Sequence, residues 1–153
     1  MSETTHELVG RLLHELPGAE RFEIPPPVFR ELGGEFVDLE AGRSLTAEWP
    51  VADRHRGPSG RLQGGILAAY FDNTVGPLAF LVGRGFYVSV DLSTEFLRPV
   101  RPEDGVVVVE AELVGETSRL LFIRGECRRT DGTVVALCRT KLIEVDEEPM
   151  GGP

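Results

Sequence analysis

Basic charge is scarce in this chain, and lysine is almost missing: 16 basic residues stand against 25 acidic ones, and Lys141 is the single lysine among them. The net charge of −9 at pH 7 excludes an electrostatic grip on nucleic acid or on an anionic membrane surface, since both need clustered cations to displace counterions. An anionic ligand has to be met by local groups, for which the planar arginine fork suits phosphate or carboxylate. Cysteine is limited to Cys127 and Cys138, enough for one bridge at most and in no metal-ligand spacing, so both read as reduced core residues. His6, His14 and His55 are scattered with no second ligand at a metal-like spacing, and no metal is expected. The N-terminus has no basic segment followed by an apolar core, so no secretory leader is read there and the expected location is the cytoplasm. The longest apolar stretch, from Ile66 to Val82, is interrupted by Asp72, Asn73 and Pro77 and falls short of a comfortable membrane span.

What is present is material for one core. A chain of 153 residues, 41% of them hydrophobic, fits a single soluble domain. Thr4 and Glu7 have capping-box spacing, and Leu8, Leu12, Leu13 and Leu16 follow at helical intervals, which predicts a short amphipathic helix within residues 1–18. The run "IPPP" at 24–27 is read as an extended link, because each proline biases the residue before it away from helix. A β-hairpin is expected around "EAGR" at 40–43, and 52–61 reads as a polar loop. Residues 64–82 are apolar almost all round, the pattern of a helix enclosed on most sides, with a bend expected at Gly76 and Pro77. Four strands follow, beginning near Phe86, Val106, Arg119 and Thr133, and short turn signals between them make an antiparallel meander the economical topology. The main domain is placed at 19–145, and the acidic tail 146–153 reads as disordered. The expected class is α+β: about six antiparallel strands curved around one long central helix, plus the short N-terminal helix.

Two features of the central helix bear on chemistry. Gly64 and Gly65 fall where the loop ends and the helix begins, so their N–H groups are among those a helix cannot satisfy internally, and the dipole there favours negative charge. They read equally as an oxyanion hole or as a tight turn that lets the helix start pack closely. Asp72 reads as an acid buried in the apolar run, either satisfied by Asn73, Thr74 or a backbone group, or held for catalysis. Gly65 and Asp72 are seven residues apart, on about one helix face but ~10 Å apart along the axis, so they cannot both touch one carbonyl. If Gly65 holds an oxyanion, the matching acid comes most simply from Asp72 of a second copy packed antiparallel, and a two-fold interface then yields two shared sites. Arg98, Arg101 and Arg119 lie at strand ends, where they read as exposed charges or as contacts to an anionic ligand.

"GG" followed after seven residues by an acid on an apolar helix, then "SVDLSTEFLRPVRPEDG" leading into strands, resembles the hotdog-fold acyl-CoA thioesterases of the phenylacetate-pathway type, over roughly residues 33–145. The resemblance implies a curved sheet around the long helix, and a homodimer that often pairs into a homotetramer. It implies an acyl-CoA substrate hydrolysed at the dimer interface, with CoA part of the substrate and no separate cofactor. It assigns the oxyanion-binding amide to Gly65, the general base or nucleophile to Asp72 of the facing subunit, and a water-holding role to Ser89, with Gly64 and Asn73 beside the substrate. The commonest form of the motif reads His-Gly-Gly, with an Asn six residues earlier. Here Gln63 replaces the His and Gly57 the Asn, so a polarising N–H donor is kept and a titratable group is lost. That departure leaves a non-catalytic acyl-CoA or acyl-ligand binding protein as the alternative. A hotdog dehydratase is disfavoured because no suitable histidine accompanies Asp72.

Overall fold

The structure is a computed structural model and describes residues 1–145. The tail read as disordered, 146–153, lies outside the described residues. Among the described residues, three α-helices, α1 (Thr5–His14), α2 (Pro27–Leu32) and α3 (Gly64–Gly83), accompany six strands: β1 (Glu35–Glu40), β2 (Ser44–Pro50), β3 (Tyr87–Phe96), β4 (Val106–Glu116), β5 (Leu120–Arg129) and β6 (Val134–Glu144). All six form one antiparallel sheet, in the order β1-β2-β4-β5-β6-β3.

Period-two burial builds the face that receives α3. Leu45, Ala47 and Trp49 on β2, Val107, Val109 and Ala111 on β4, and Ile123 and Cys127 on β5 all point into the core, as alternation on a half-buried strand requires. The register lines up Ala47, Val109, Cys127 and Ala136 across four strands. Gly125 on β5 faces Phe71 of α3, and a Cβ there would meet the ring Cδ1 at 2.7 Å. This glycine lets the fully buried Phe71 lie against the sheet. The meander holds for β4, β5 and β6 only. β3 crosses to the far edge and pairs with β6, so that β2 takes the place beside β4. The β3–β4 connection is fastened on its way back, by Leu97 and Arg98 N–H groups donating to Val135 O, Leu62 N–H to Val100 O and Val51 N–H to Gly105 O.

The capping box at the start of α1 is formed in both directions, between Thr4 and Glu7. The proline run is not merely a link. Pro27 opens α2 at its first position, where a missing N–H costs nothing, and Gly33 closes it at φ 75°. Phe29 and Leu32 of α2 are buried. The helix α3 runs unbroken through Gly76 and Pro77 to Gly83. It is 20 residues long and contains an 18-residue window of mean hydropathy 1.3, matching a membrane span in length and composition, more closely than the interrupted run in the sequence suggested. One side, carrying Leu67, Tyr70, Phe71, Thr74, Val75 and Leu78, packs into the sheet. The other side is not enclosed: Gly65 and Asp72 are exposed, and Ala69, Asn73, Gly76 and Phe80 half-buried. The sequence predicted enclosure because alanine and glycine on that side read as apolar; small residues equally make a smooth open face.

Candidate active site

Asp72 lies on this open face, so the acid expected to be buried is at the surface of the single chain. Its partner is Ser89 of β3, whose Oγ donates to Asp72 Oδ1 at 2.9 Å. A register shift between Ser89 and Asp91 leaves Val90 as an extra residue opposite β6. Asp91 holds the bulge, with Oδ1 accepting Lys141 N–H at 2.9 Å, Oδ2 at 3.0 Å from Lys141 Nζ, and its carbonyl accepting from Thr140 Oγ1 at 2.7 Å. The Lys141 contacts hold the Asp91 carboxyl below its ordinary range. Such bulges re-aim a side chain beside a site, and here the aimed group is Ser89.

The orientation of Asp72 is set from the buried side of α3. Trp49 Nε1 donates to Thr74 Oγ1 at 3.2 Å, Thr74 Oγ1 donates to Tyr70 O at 2.8 Å, and Tyr70 OH donates to Pro50 O at 3.0 Å. Trp49 stacks on Tyr70 with ring centroids 5.1 Å apart. At about 100° per residue Thr74 and Asp72 lie on nearly opposite sides of the helix, so anchoring the first turns the second outward.

An apolar chamber of about 550 Å³ opens beside the Asp72–Ser89 pair. Asn73, Gly76, Pro77 and Phe80 of α3 form one wall, and Tyr87 and Val88 of β3 another. The N-terminal segment supplies much of the rest, with His6, Leu13, Phe22, Glu23, Ile24 and Phe29 among the lining, and Phe36 of β1 and Leu142 of β6 complete it. The sequence did not mark these residues as pocket walls, and it read 24–27 only as an extended link. The signal was the density of apolar side chains in "RFEIPPPVF", too high for a solvated link. Phe22 stacks on Phe86 at 3.9 Å, and Phe80 meets Phe86 edge-on at 5.2 Å. Phe80 and Tyr87 line the chamber, whereas Tyr70, Phe71 and Phe86 are buried in the core.

The glycine pair sits at the other end of the open face, and the two glycines serve different purposes. A Cβ at Gly64 would meet Phe96 Cζ at 3.0 Å, whereas a Cβ at Gly65 would meet nothing within 4 Å. Gly64 thus permits close packing against Phe96, and Gly65 is exposed with open space beside its Cα. Gln63 is the N-cap of α3; its backbone N–H donates to His55 O at 3.0 Å, and its exposed side chain makes no capping bond. Asn73 Nδ2 donates to Ala69 O at 2.8 Å. Within one chain, then, the structure joins Ser89, Asp72 and Asn73 at the chamber and leaves Gln63, Gly64 and Gly65 apart from them.

The three arginines do not converge. Arg98 donates through Nη1 to Val134 O at 2.6 Å, and Arg101 contributes its backbone N–H to Asp104 Oδ2 at 2.8 Å. Both side chains are exposed near the glycine end of α3. Arg119 follows β4, at the opposite end of that 11-residue strand, about 36 Å along the sheet at ~3.3 Å per residue.

Residues 59–136, spanning α3 and β3 through the start of β6, match the family model of the Thioesterase superfamily. The chain belongs to that superfamily. A structure from Ralstonia eutropha, described as a phenylacetic acid degradation-related protein, is 31% identical, with 86% of this chain and 98% of that one aligned at a TM-score of 0.69. AziG of S. sahachiroi is 25% identical over 78% of this chain and 97% of its own, with a TM-score of 0.74. A Haemophilus influenzae thioesterase shares the fold at 20% identity and a TM-score of 0.77, covering 99% of this chain and 97% of its own. A search of curated proteins finds no match. The long helix on a six-stranded antiparallel sheet is the hotdog fold of this thioesterase superfamily, and thioester hydrolysis is the reaction class that membership supports.

Proposed function

We propose that this thioesterase hydrolyses an acyl-CoA at a site completed by a second copy of the chain, giving free acid and CoA without a further cofactor. The observation that carries the reading is the Ser89–Asp72 pair at the mouth of an apolar chamber. Ser89 and Asp72 hold a water, Asp72 accepts its proton, and the oxygen attacks the thioester carbon. The resulting oxyanion is received by the Gly65 N–H at the start of α3 and by the Gln63 side-chain amide of the other copy. Collapse breaks the carbon–sulfur bond; the thiolate leaves as CoA and takes up a proton, while the acyl carbon leaves as a carboxylic acid.

Two observations support the shared site. Gly65 and Asp72 lie on the same open face ~10 Å apart along α3, too far to serve one carbonyl, and an antiparallel second copy brings each opposite the other. In addition, β3 is a sheet edge on which Val90 is 57% and Phe96 55% exposed, and an exposed apolar edge is a template for pairing. Arg98 and Arg101, beside the glycine end, are the side chains assigned to the CoA phosphates. Thiol release across acyl-CoAs of different length tests the activity; saturable binding without thiol release would instead support the non-catalytic acyl-binding reading that Gln63 leaves open. For the sharing, an Asp72→Ala chain mixed with a Gly65→Pro chain is expected to recover turnover in isolated heterodimers, and no recovery would contradict it.

A further inference from the structure

The chamber that meets the acyl end of the substrate is not uniformly apolar. His6, on α1, lines it together with Phe29, Phe36 and Leu13. The imidazole stacks against Phe29 and Phe36, with centroids 6.2 and 5.6 Å away. Its Nδ1 accepts the backbone N–H of Phe36 at 3.1 Å. An imidazole that accepts at Nδ1 carries its proton on Nε2 and is a donor there. No described residue accepts from Nε2, and the atom keeps accessible surface. The ring thus rests against two phenyls that stack on each other at 5.0 Å and is tied at one nitrogen, with one N–H left over in the stretch of wall formed by Leu13, Phe29 and Phe36.

Size narrows the ligand further. A cavity of about 150 Å³ lined by apolar side chains already accommodates benzene, and this chamber of about 550 Å³ is several times larger. Acetyl- or propionyl-sized groups would leave most of it empty.

Resting on the thioesterase reading above, we infer that His6 determines acyl specificity: the chamber takes a medium-length apolar acyl group whose far end carries a hydrogen-bond acceptor, received by His6 Nε2–H. A plain alkyl end would dry this N–H without replacing its water, while a terminal hydroxyl or carbonyl satisfies it. Were the far wall apolar throughout, the sign would reverse, because burying an unpaired hydroxyl is unfavourable.

Hexanoyl-, octanoyl- and decanoyl-CoA, each paired with its terminally hydroxylated counterpart, supply the test. In the wild-type protein the hydroxylated member of at least one pair is expected to have a kcat/KM roughly tenfold higher, the scale of one well-formed hydrogen bond. The same pairs made as non-hydrolysable thioethers are titrated by calorimetry, with the same order expected in Kd. His6→Phe fills the site without a donor and should abolish or invert the preference in both measurements; His6→Asn, which keeps an acceptor for Phe36 and a donor for the ligand, should retain part of it. Melting curves of both variants verify the fold. Equal or reversed wild-type preference in all three pairs overturns the assignment, as does a preference that survives in folded His6→Phe. If no thioester is turned over while the thioethers keep the His6-dependent preference, hydrolysis fails and the His6 assignment stands.

Discussion

Replacing Thr74 by Val removes one oxygen from the centre of the molecule and nothing else of consequence in shape. Thr74 is fully buried, and its Oγ1 is the acceptor for Trp49 Nε1–H, itself on a fully buried ring. Valine cannot accept, so the indole N–H is left dry and unpaired, a loss of about 1–3 kcal/mol. The bond from Thr74 Oγ1 to Tyr70 O also goes, but that carbonyl keeps its helical partner. Taking about 2 kcal/mol, a chain of this size should lose roughly 4–8 °C in Tm. Thr74→Ser keeps the hydroxyl and loses one methyl, about 0.8 kcal/mol, so it should be the milder change. Trp49→Phe removes the donor, and in that background Thr74→Val should be less harmful than in the wild type, a coupling that urea denaturation of the four proteins measures. If Thr74→Val lies within about 0.5 kcal/mol of wild type, the range of ordinary surface changes, or if Thr74→Ser is worse, the hydrogen bond does not anchor α3.

Other consequences follow from single contacts. Gly125→Ala drives a methyl against Phe71 Cδ1 and Cε1 and should lower stability by about 1–3 kcal/mol in the same denaturation assay. Burial pushes both thiols, Cys127 and Cys138, up to about 12, so neither should react with a thiol reagent in the native protein at pH 8, and both should react once it is unfolded. An acid whose proton is held more tightly in the folded state makes the unfolded state the poorer proton binder as pH rises past 9. Stability should therefore fall between pH 9 and pH 12, by up to about 1.4 kcal/mol per pH unit for each thiol, and more gently in each Cys→Ala variant. Ser89→Ala removes the donor to Asp72 and should reduce kcat about tenfold with little change in KM, the loss of a hydrogen bond worth about 1.4 kcal/mol.

The parts of the fold that announce themselves in the sequence are those governed by local rules. The Thr4–Glu7 capping box, the hairpin around 41–43 and the start of α3 at Gly64 all depend on neighbouring residues, and all were legible. The placement of β3 was not, because an edge position depends on which strand closes the sheet from the other side, and "FYVSVDLSTEF" alternates in either place. The helix α2 was hidden by Pro25 and Pro26, whose bias toward extended backbone masks that a third proline suits a helix start. At the site, Asp72 and Ser89 come together across 17 residues through a bulge no periodicity reveals. The exposure of Asp72 was misread because Ala69, Gly76 and Pro77 look like core in a composition count and form an open surface in the folded chain. The chamber was missed for the opposite reason: its N-terminal walls come from a segment whose prolines read as a connector.

The measurement that bears most directly on the central claim is thiol release by the Asp72→Asn protein on an acyl-CoA that the wild type hydrolyses. The amide keeps the size of the carboxylate and can still accept from Ser89 Oγ, but it cannot take a proton from water. The account predicts that kcat falls by at least about 100-fold, the lower end of what general-base assistance contributes, while the melting temperature and oligomeric state stay as in the wild type. Turnover within a few-fold of wild type in the folded Asp72→Asn protein would contradict it.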